Sequence, residues 1–178
     1  MPDGVLRILF LGQLIRGKGA DLMLKALKKL DIPFVCTIAG DGKDRLMLEN
    51  MVKKFNLQNK VIFTGFVSDT EKLWDNCDVF CFPIRWQEPF GLVGLEASAH
   101  GIPAVAFDLG GVREWLSDEK NGFAVPEKAD INVAFRLIFQ HHDLLLPKMR
   151  KDCFRIAEEH FSEENFVKTF TDLTEKLK

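Results

Sequence analysis

Three short stretches carry residues suited to chemistry on a phosphorylated ligand. The first, Gly12-Gln13-Leu14-Ile15-Arg16-Gly17-Lys18-Gly19, matches the phosphate-cradling pattern GxxxxGK[ST] until its last position, where glycine replaces the hydroxyl that would hold magnesium. It reads either as a tight turn ahead of a helix or as a turn whose Lys18 meets a phosphate. The second, residues 86–97, sets Glu88 just before a helix start and Glu96 eight positions later, slightly more than two turns on. On a face with Leu92 and Val93, the Glu96 carboxylate needs a ligand hydroxyl or a basic partner, unless that face is solvated. At the helix start the backbone N–H groups of Phe90, Gly91 and Leu92, with the helix dipole behind them, favour an anion such as a diphosphate. The third, Asp108-Leu109-Gly110-Gly111-Val112-Arg113-Glu114, pairs two glycines that admit close backbone approach to a ligand with a glutamate expected to open the next helix.

These stretches act together only if the fold gathers them. Short apolar runs rich in Val, Ile and Phe, at 5–12, 34–39, 61–65, 79–82, 103–107 and 122–125, alternate with segments of helical period. That alternation predicts an α/β domain with a doubly wound parallel sheet of about six strands. Ligands of such sheets lie outside the carboxyl ends of the strands, where all three stretches fall. The helix after the second strand shows a buried stripe at Leu48, Met51, Val52 and Phe55. Beyond Val125 the pattern is helical only. Ser162 is an expected N-cap there, Glu163 and Glu164 suit the helix start, and Phe166, Phe170, Leu173 and Leu177 share one face.

The 178 residues, 47% hydrophobic and 28% charged, suffice for one sizeable core and divide at no linker or repeat, so residues 1–178 are read as one domain. A net charge of −2 lacks the broad positive field that draws a protein onto nucleic acid or an anionic membrane, which leaves local anion sites only. The sixteen Phe and absent Tyr look like core packing, without a platform for stacked bases. Cys36, Cys77, Cys81 and Cys153 form no CxxC pair, and His100, His141, His142 and His160 share no motif with a nucleophile, so buried reduced thiols, structural histidines and no metal site are expected. The first residues carry neither a basic leader nor an apolar signal core, and no run of about 18 apolar residues occurs, so a cytoplasmic chain with no transmembrane segment is expected.

Taken in order, Gly12-x-Leu14, Lys18-Gly19, Ala39-Gly40-Asp41-Gly42, Val61-x-Phe63-x-Gly65, the pair Glu88-x7-Glu96 and Gly110-Gly111-x-x-Glu114 resemble the carboxy-terminal domain of group 1 glycosyltransferases, over nearly the whole chain. The resemblance implies a retaining transferase of the GT-B fold, in which two Rossmann-like domains face a cleft. This chain corresponds to the one that holds a nucleotide-sugar such as a UDP- or GDP-sugar, and the amino-terminal acceptor domain is absent from it. By motif position, Glu88 meets hydroxyls of the sugar and Glu96 the ribose. Phe90, Gly91 and Leu92 offer backbone donors, Lys18 neutralises the diphosphate, and Gly12 and Gly40 border the donor. Glu88 and Lys18 are the catalytic candidates, and no metal or other cofactor is implied. One position departs from the family: the arginine of its Gly-Arg-Leu turn is Gln13 here, which removes a charge, and Arg16 is the candidate to replace it or else a solvent-exposed side chain.

Two other readings stay open. A P-loop nucleotide hydrolase would use Lys18 with Asp108 as a second metal-binding motif, although Gly19 lacks the required hydroxyl. A non-catalytic nucleotide-sugar-binding or partner-binding module would account for Gln13 and the absent acceptor half.

Overall fold

The computed structural model describes residues 1, 3–87, 89–162, 164 and 167. Glu88 and most of the helix expected beyond Ser162, including Glu163, Phe166, Phe170, Leu173 and Leu177, lie outside the described residues, as does the side chain of His160.

Six parallel strands form one sheet: β1 (Leu6–Leu11), β2 (Phe34–Ala39), β3 (Val61–Gly65), β4 (Val79–Phe82), β5 (Ala104–Phe107) and β6 (Gly122–Val125), in the spatial order β3-β2-β1-β4-β5-β6. Helices connect them: α1 (Ala20–Leu27), α2 (Arg45–Lys54), α3 (Glu71–Asp75) and α4 (Leu92–Ala99), followed by α5 (Asn132–Gln140) and α6 (His142–Phe161). The fold is thus the Rossmann-like, doubly wound α/β domain expected, with extra helices at its carboxyl end.

Strand sequence follows strand position. The central strands β4 and β5, Val-Phe-Cys-Phe and Ala-Val-Ala-Phe, are buried at every residue because helices cover both of their faces. The edge strand β3 alternates, with Val61 buried and Ile62 exposed. Alternate side chains build two cores. On one face Ile8, Phe10, Ile38, Cys81 and Phe107 pack with Met23 and Leu24 of α1, Leu48 of α2 and Phe135 of α5. On the other Leu9, Ala39, Phe80, Phe82 and Ala106 pack with Trp74 of α3, Ala97 of α4 and Trp115. Of the stripe predicted for α2, Leu48 and Val52 are buried, while Met51 and Phe55 pack partly buried against the same core.

All four cysteines are buried and unpaired with one another, and burial raises their thiol pKa values, that of Cys153 to about 12. His100 stacks on Trp74 with ring centroids 5.6 Å apart, and the His142 ring lies 2.9 Å from the Phe139 carbonyl oxygen. Among the described residues no helix is long and apolar enough to cross a membrane.

Strand order reverses between β1 and β4, and the turns that leave these strands diverge into a crevice. The glycine-rich turn and the helix start singled out in the sequence sit on its two sides.

Candidate donor site at the carboxyl edge of the sheet

The turn after β1 is clasped from both sides by backbone. Gly12 N–H donates to the Ala39 carbonyl at 3.0 Å and Leu14 N–H to the Asp41 carbonyl at 2.9 Å, which ties the turn to the end of β2. A Cβ on Gly40 would lie 1.9 Å from the Gly12 carbonyl oxygen. Toward β4 the fit is closer still. Gly19 has φ 75°, and a Cβ there would lie 1.7 Å from the Pro83 carbonyl oxygen, while a Cβ on Gly17 would strike the Trp86 ring. The glycine that breaks the P-loop pattern therefore stands where no side chain fits, hydroxyl-bearing or otherwise.

Residues 16–18 form a single 3-10 turn, and its two basic side chains line different concavities. Lys18 lines one of about 340 Å³ together with Phe82, Pro89, Phe90, Gly91, Leu92 and Val93. Its ammonium lies 5.9 Å from the Phe82 ring centroid and 5.8 Å from that of Trp86, within the range of cation–π attraction. Lys18 and the start of α4, about 70 residues apart in sequence, thus border the same space. Arg16 instead lines a concavity of about 390 Å³ with Asp21, Lys25, Lys43, Asp44, Met47 and Arg85. A third, of about 370 Å³, lies at the ends of β1, β2 and β3, where Gly12, Gln13, Gly40 and Asp41 face the exposed Phe66 and the partly buried Val67.

The start of α4 is held from behind by tryptophan. Trp115 Nε1 donates to the Phe90 carbonyl at 2.7 Å, and its ring packs so closely on α4 that a Cβ on Gly94 would lie 2.2 Å from it. Gly91, at φ 86°, makes the left-handed bend from which the helix begins. Within α4, Glu96 has neither the basic partner nor the fully solvated face considered from sequence. Its Oε1 accepts from Thr70 Oγ1 at 2.7 Å and from Trp74 Nε1 at 3.1 Å, so two neutral donors orient the carboxylate without neutralising it.

The turn after β5 differs from its sequence reading. Gly110 to Glu114 form a 3-10 helix, so Glu114 ends an element and opens none. The backbone that the glycine pair admits is the protein's own, since a Cβ on Gly111 would lie 2.2 Å from the Pro89 carbonyl oxygen. Asp108 is engaged by Arg113 at 2.8 Å, and Arg113 also reaches Asp118 at 2.6 Å. The Arg113 hydrogen bond and charge hold the Asp108 carboxyl below its usual pKa. Asp108 is thus tied up in an ion pair in the place where the hydrolase reading needed a metal ligand. Among the described residues, no cluster of three His, Cys, Asp or Glu side chains is arranged around a common point as a metal site would require.

Several residues of this edge were not singled out from sequence. Arg85 forms a two-pronged ion pair with Asp21 and donates to the Arg16 carbonyl at 2.9 Å, while its own N–H donates to the Gly17 carbonyl at 2.9 Å. Burial opposes ionisation of Asp21, but hydrogen bonds and charge from Arg85, then Lys25, outweigh it and hold the carboxyl below its usual pKa. Arg85, Trp115, Thr70, Trp74 and Phe66 carried no signal because each acts through a partner far along the chain.

With this geometry in place, comparison with known proteins identifies the class. Residues 2–160 match the family described as glycosyl transferases group 1, and the chain belongs to that family. It is 37% identical over 141 residues to an uncharacterized glycosyltransferase of Methanocaldococcus jannaschii, covering 76% of this chain and 35% of that protein. It is 30% identical over 152 residues to mannosylfructose-phosphate synthase of Agrobacterium fabrum, covering 77% and 33%. The fold superposes on Anabaena HepE in complex with UDP with a TM-score of 0.85 at 22% identity, covering 95% of this chain and 49% of that one. The sucrose-phosphate synthase of Thermosynechococcus elongatus gives 0.84 at 24% identity, covering 97% and 45%. The chain therefore spans about a third to a half of the length of these relatives.

Proposed function

We propose that this chain is the donor half of a retaining glycosyltransferase of the GT-B type, holding a nucleotide-sugar while a second domain presents the acceptor. The observation that carries the reading is the concavity shared by Lys18 and the Gly91-led start of α4 at the reversal of strand order. An ammonium and a helix N-terminus converging on one space suit a diphosphate. The neighbouring concavity, with Gly12, Gln13 and Gly40 on one side and Phe66 on the other, has room for the nucleoside. Known relatives support the donor class, since Anabaena HepE has been crystallised with UDP and with UDP-glucose.

In this reading the anomeric bond breaks toward the diphosphate, whose charge grows as the sugar departs. Lys18 and the backbone N–H groups at the start of α4 stabilise that growing charge more than they stabilise the intact donor, which lowers the barrier. Glu88 is assigned to sugar hydroxyls and Glu96, already oriented by Thr70 and Trp74, to the ribose. Metal-independent diphosphate binding is part of the proposal. The cytoplasm, where four unpaired buried thiols stay reduced, is the proposed location.

Calorimetric titration of the 178-residue chain with UDP and with GDP, each with and without chelator, tests the proposal. One nucleotide should bind with unchanged affinity in chelator, and the chain alone should transfer no sugar. A strict magnesium requirement, or no binding of either nucleotide, would overturn the donor-site assignment. Robust transfer by the isolated chain would refute the need for a second domain.

A further inference from the structure

Arg16 and Lys18 flank one 3-10 turn, and only Lys18 borders the space at the start of α4. The concavity on the Arg16 side is strongly cationic for a chain of net charge −2: four basic residues, Arg16, Lys25, Lys43 and Arg85, line it against two carboxylates, Asp21 and Asp44. Asp21 is already matched, by the two-pronged pair with Arg85 and by Lys25 at 3.2 Å. Among the described residues no ion pair engages Arg16, Lys43 or Asp44, so Asp44 offsets at most one of these two cations and the concavity keeps a net positive charge. A volume of about 390 Å³ is of small-molecule size.

We propose that this concavity is a second anion site, distinct from the donor diphosphate site, which takes the phosphate monoester of a phosphorylated sugar through Arg16 and Lys43. Arg85 shapes it, held by Asp21 and bonded to the Arg16 carbonyl, so the turn that carries Arg16 is braced from below. A phosphate anchored there sits on the opposite flank of the turn that carries Lys18. The distinctness of this site from a donor site rests on the donor reading above, whereas the anion site itself does not.

The test is an amide NMR titration of the isolated chain with inorganic phosphate, with glucose 6-phosphate, with glucose, and separately with UDP. Phosphate and glucose 6-phosphate should shift the amides of residues 16, 43 and 85, glucose should shift none of them, and UDP should shift residues 18 and 90–92. Tighter binding of glucose 6-phosphate than of phosphate supports a phosphorylated sugar, and equal binding overturns that part in favour of a simple phosphate site. Lys43→Glu should weaken phosphate binding by about tenfold while UDP affinity holds, and Arg16→Ala should weaken phosphate in the same way. Phosphate that competes with UDP and is lost only in Lys18→Ala, or an Arg16→Ala variant that loses UDP and keeps phosphate, would assign both cations to one diphosphate site and overturn the proposal. No shift at residues 16 and 43 with any phosphate would overturn it as well. Phosphate binding at these residues in a chain that ignores UDP would instead refute the donor reading and leave the anion site standing.

Discussion

The turns after β1 and β5 both lie at the carboxyl edge of the sheet, and both combine glycines with an arginine, yet their arginines are in opposite states. Arg113 in the β5 turn is held between Asp108 at 2.8 Å and Asp118 at 2.6 Å, so its charge is neutralised within the fold. In the β1 turn Lys18 faces a concavity through the rings of Phe82 and Trp86, and Arg16 lines another with no ion-pair partner among the described residues. The glycines of the two turns do the same work, admitting a neighbouring carbonyl, Pro83 for Gly19 and Pro89 for Gly111. A glycine-rich turn with a cation is therefore not in itself a ligand site. What distinguishes Arg113 from Arg16 is that, among the described residues, carboxylates of the fold already meet the one and not the other.

The largest expected effect challenges the likeness of the glycines. Gly19→Ala combines a left-handed backbone with a Cβ 1.7 Å from a carbonyl oxygen and should destabilise the chain by about 3 kcal/mol or more. Gly111→Ala meets Pro89 at 2.2 Å without the positive φ and should cost about 2 kcal/mol. Urea unfolding measures both, and a Gly19→Ala midpoint equal to wild type would refute the clasp on Pro83.

Exchanging the cations sharpens the contrast. Lys18→Ala should lose roughly 1.5 to 3 kcal/mol of UDP binding with little change in stability, while Arg113→Ala should keep UDP affinity. Calorimetry and urea unfolding on the same two proteins decide, and a reversed pattern would exchange the roles of the turns. Between them in magnitude lies Glu96. Glu96→Ala removes the acceptor for Trp74 Nε1 and Thr70 Oγ1, so about 1 to 2 kcal/mol of stability should go along with nucleotide affinity. Glu96→Gln retains an acceptor oxygen and should recover most of the stability; equal losses in both variants would mean that the charge, not the hydrogen-bond geometry, holds the helix pair.

The smallest effect is a dependence on pH. The pKa of Asp108 is lowered in the folded chain from an ordinary 3.8, so its pair with Arg113 contributes stability above that value and loses it as pH falls through the lower folded value. The pair is largely exposed, and about 0.5 kcal/mol is expected. Between pH 5 and pH 2 the wild type should lose that much more stability than Arg113→Ala, as measured by urea unfolding at each pH. Parallel curves would show that the pair contributes nothing.

Much of the fold was legible in sequence because burial on both faces leaves a simple mark. The runs at 34–39, 61–65, 79–82 and 122–125 are strands with those bounds, since apolar β-branched and aromatic runs between helical segments have few other uses. The first strand is shorter than its apolar run, starting at Leu6 and ending at Leu11. The third functional stretch was misread in part, because Gly110 and Gly111 carry no sign of which backbone approaches them. Glu96 was legible as a carboxylate in need of donors, but not the identity of those donors, which come from Thr70 and Trp74 across a helix pair.

The sequence by itself determined the alternation of strands and helices, the family, and the local chemistry of Lys18 and of the helix start at Gly91, because periodicity, glycine and charge act within a few residues of chain. Only the tertiary structure decided the strand order that sets β1 beside β4, and with it which cations share a space with which backbone. It gave Lys18 and Arg16 different neighbours on opposite flanks of one turn and closed Asp21 onto Arg85 across 64 residues. The reason is physical: charge compensation depends on separations of a few ångströms, and those are set by packing between segments distant in the chain.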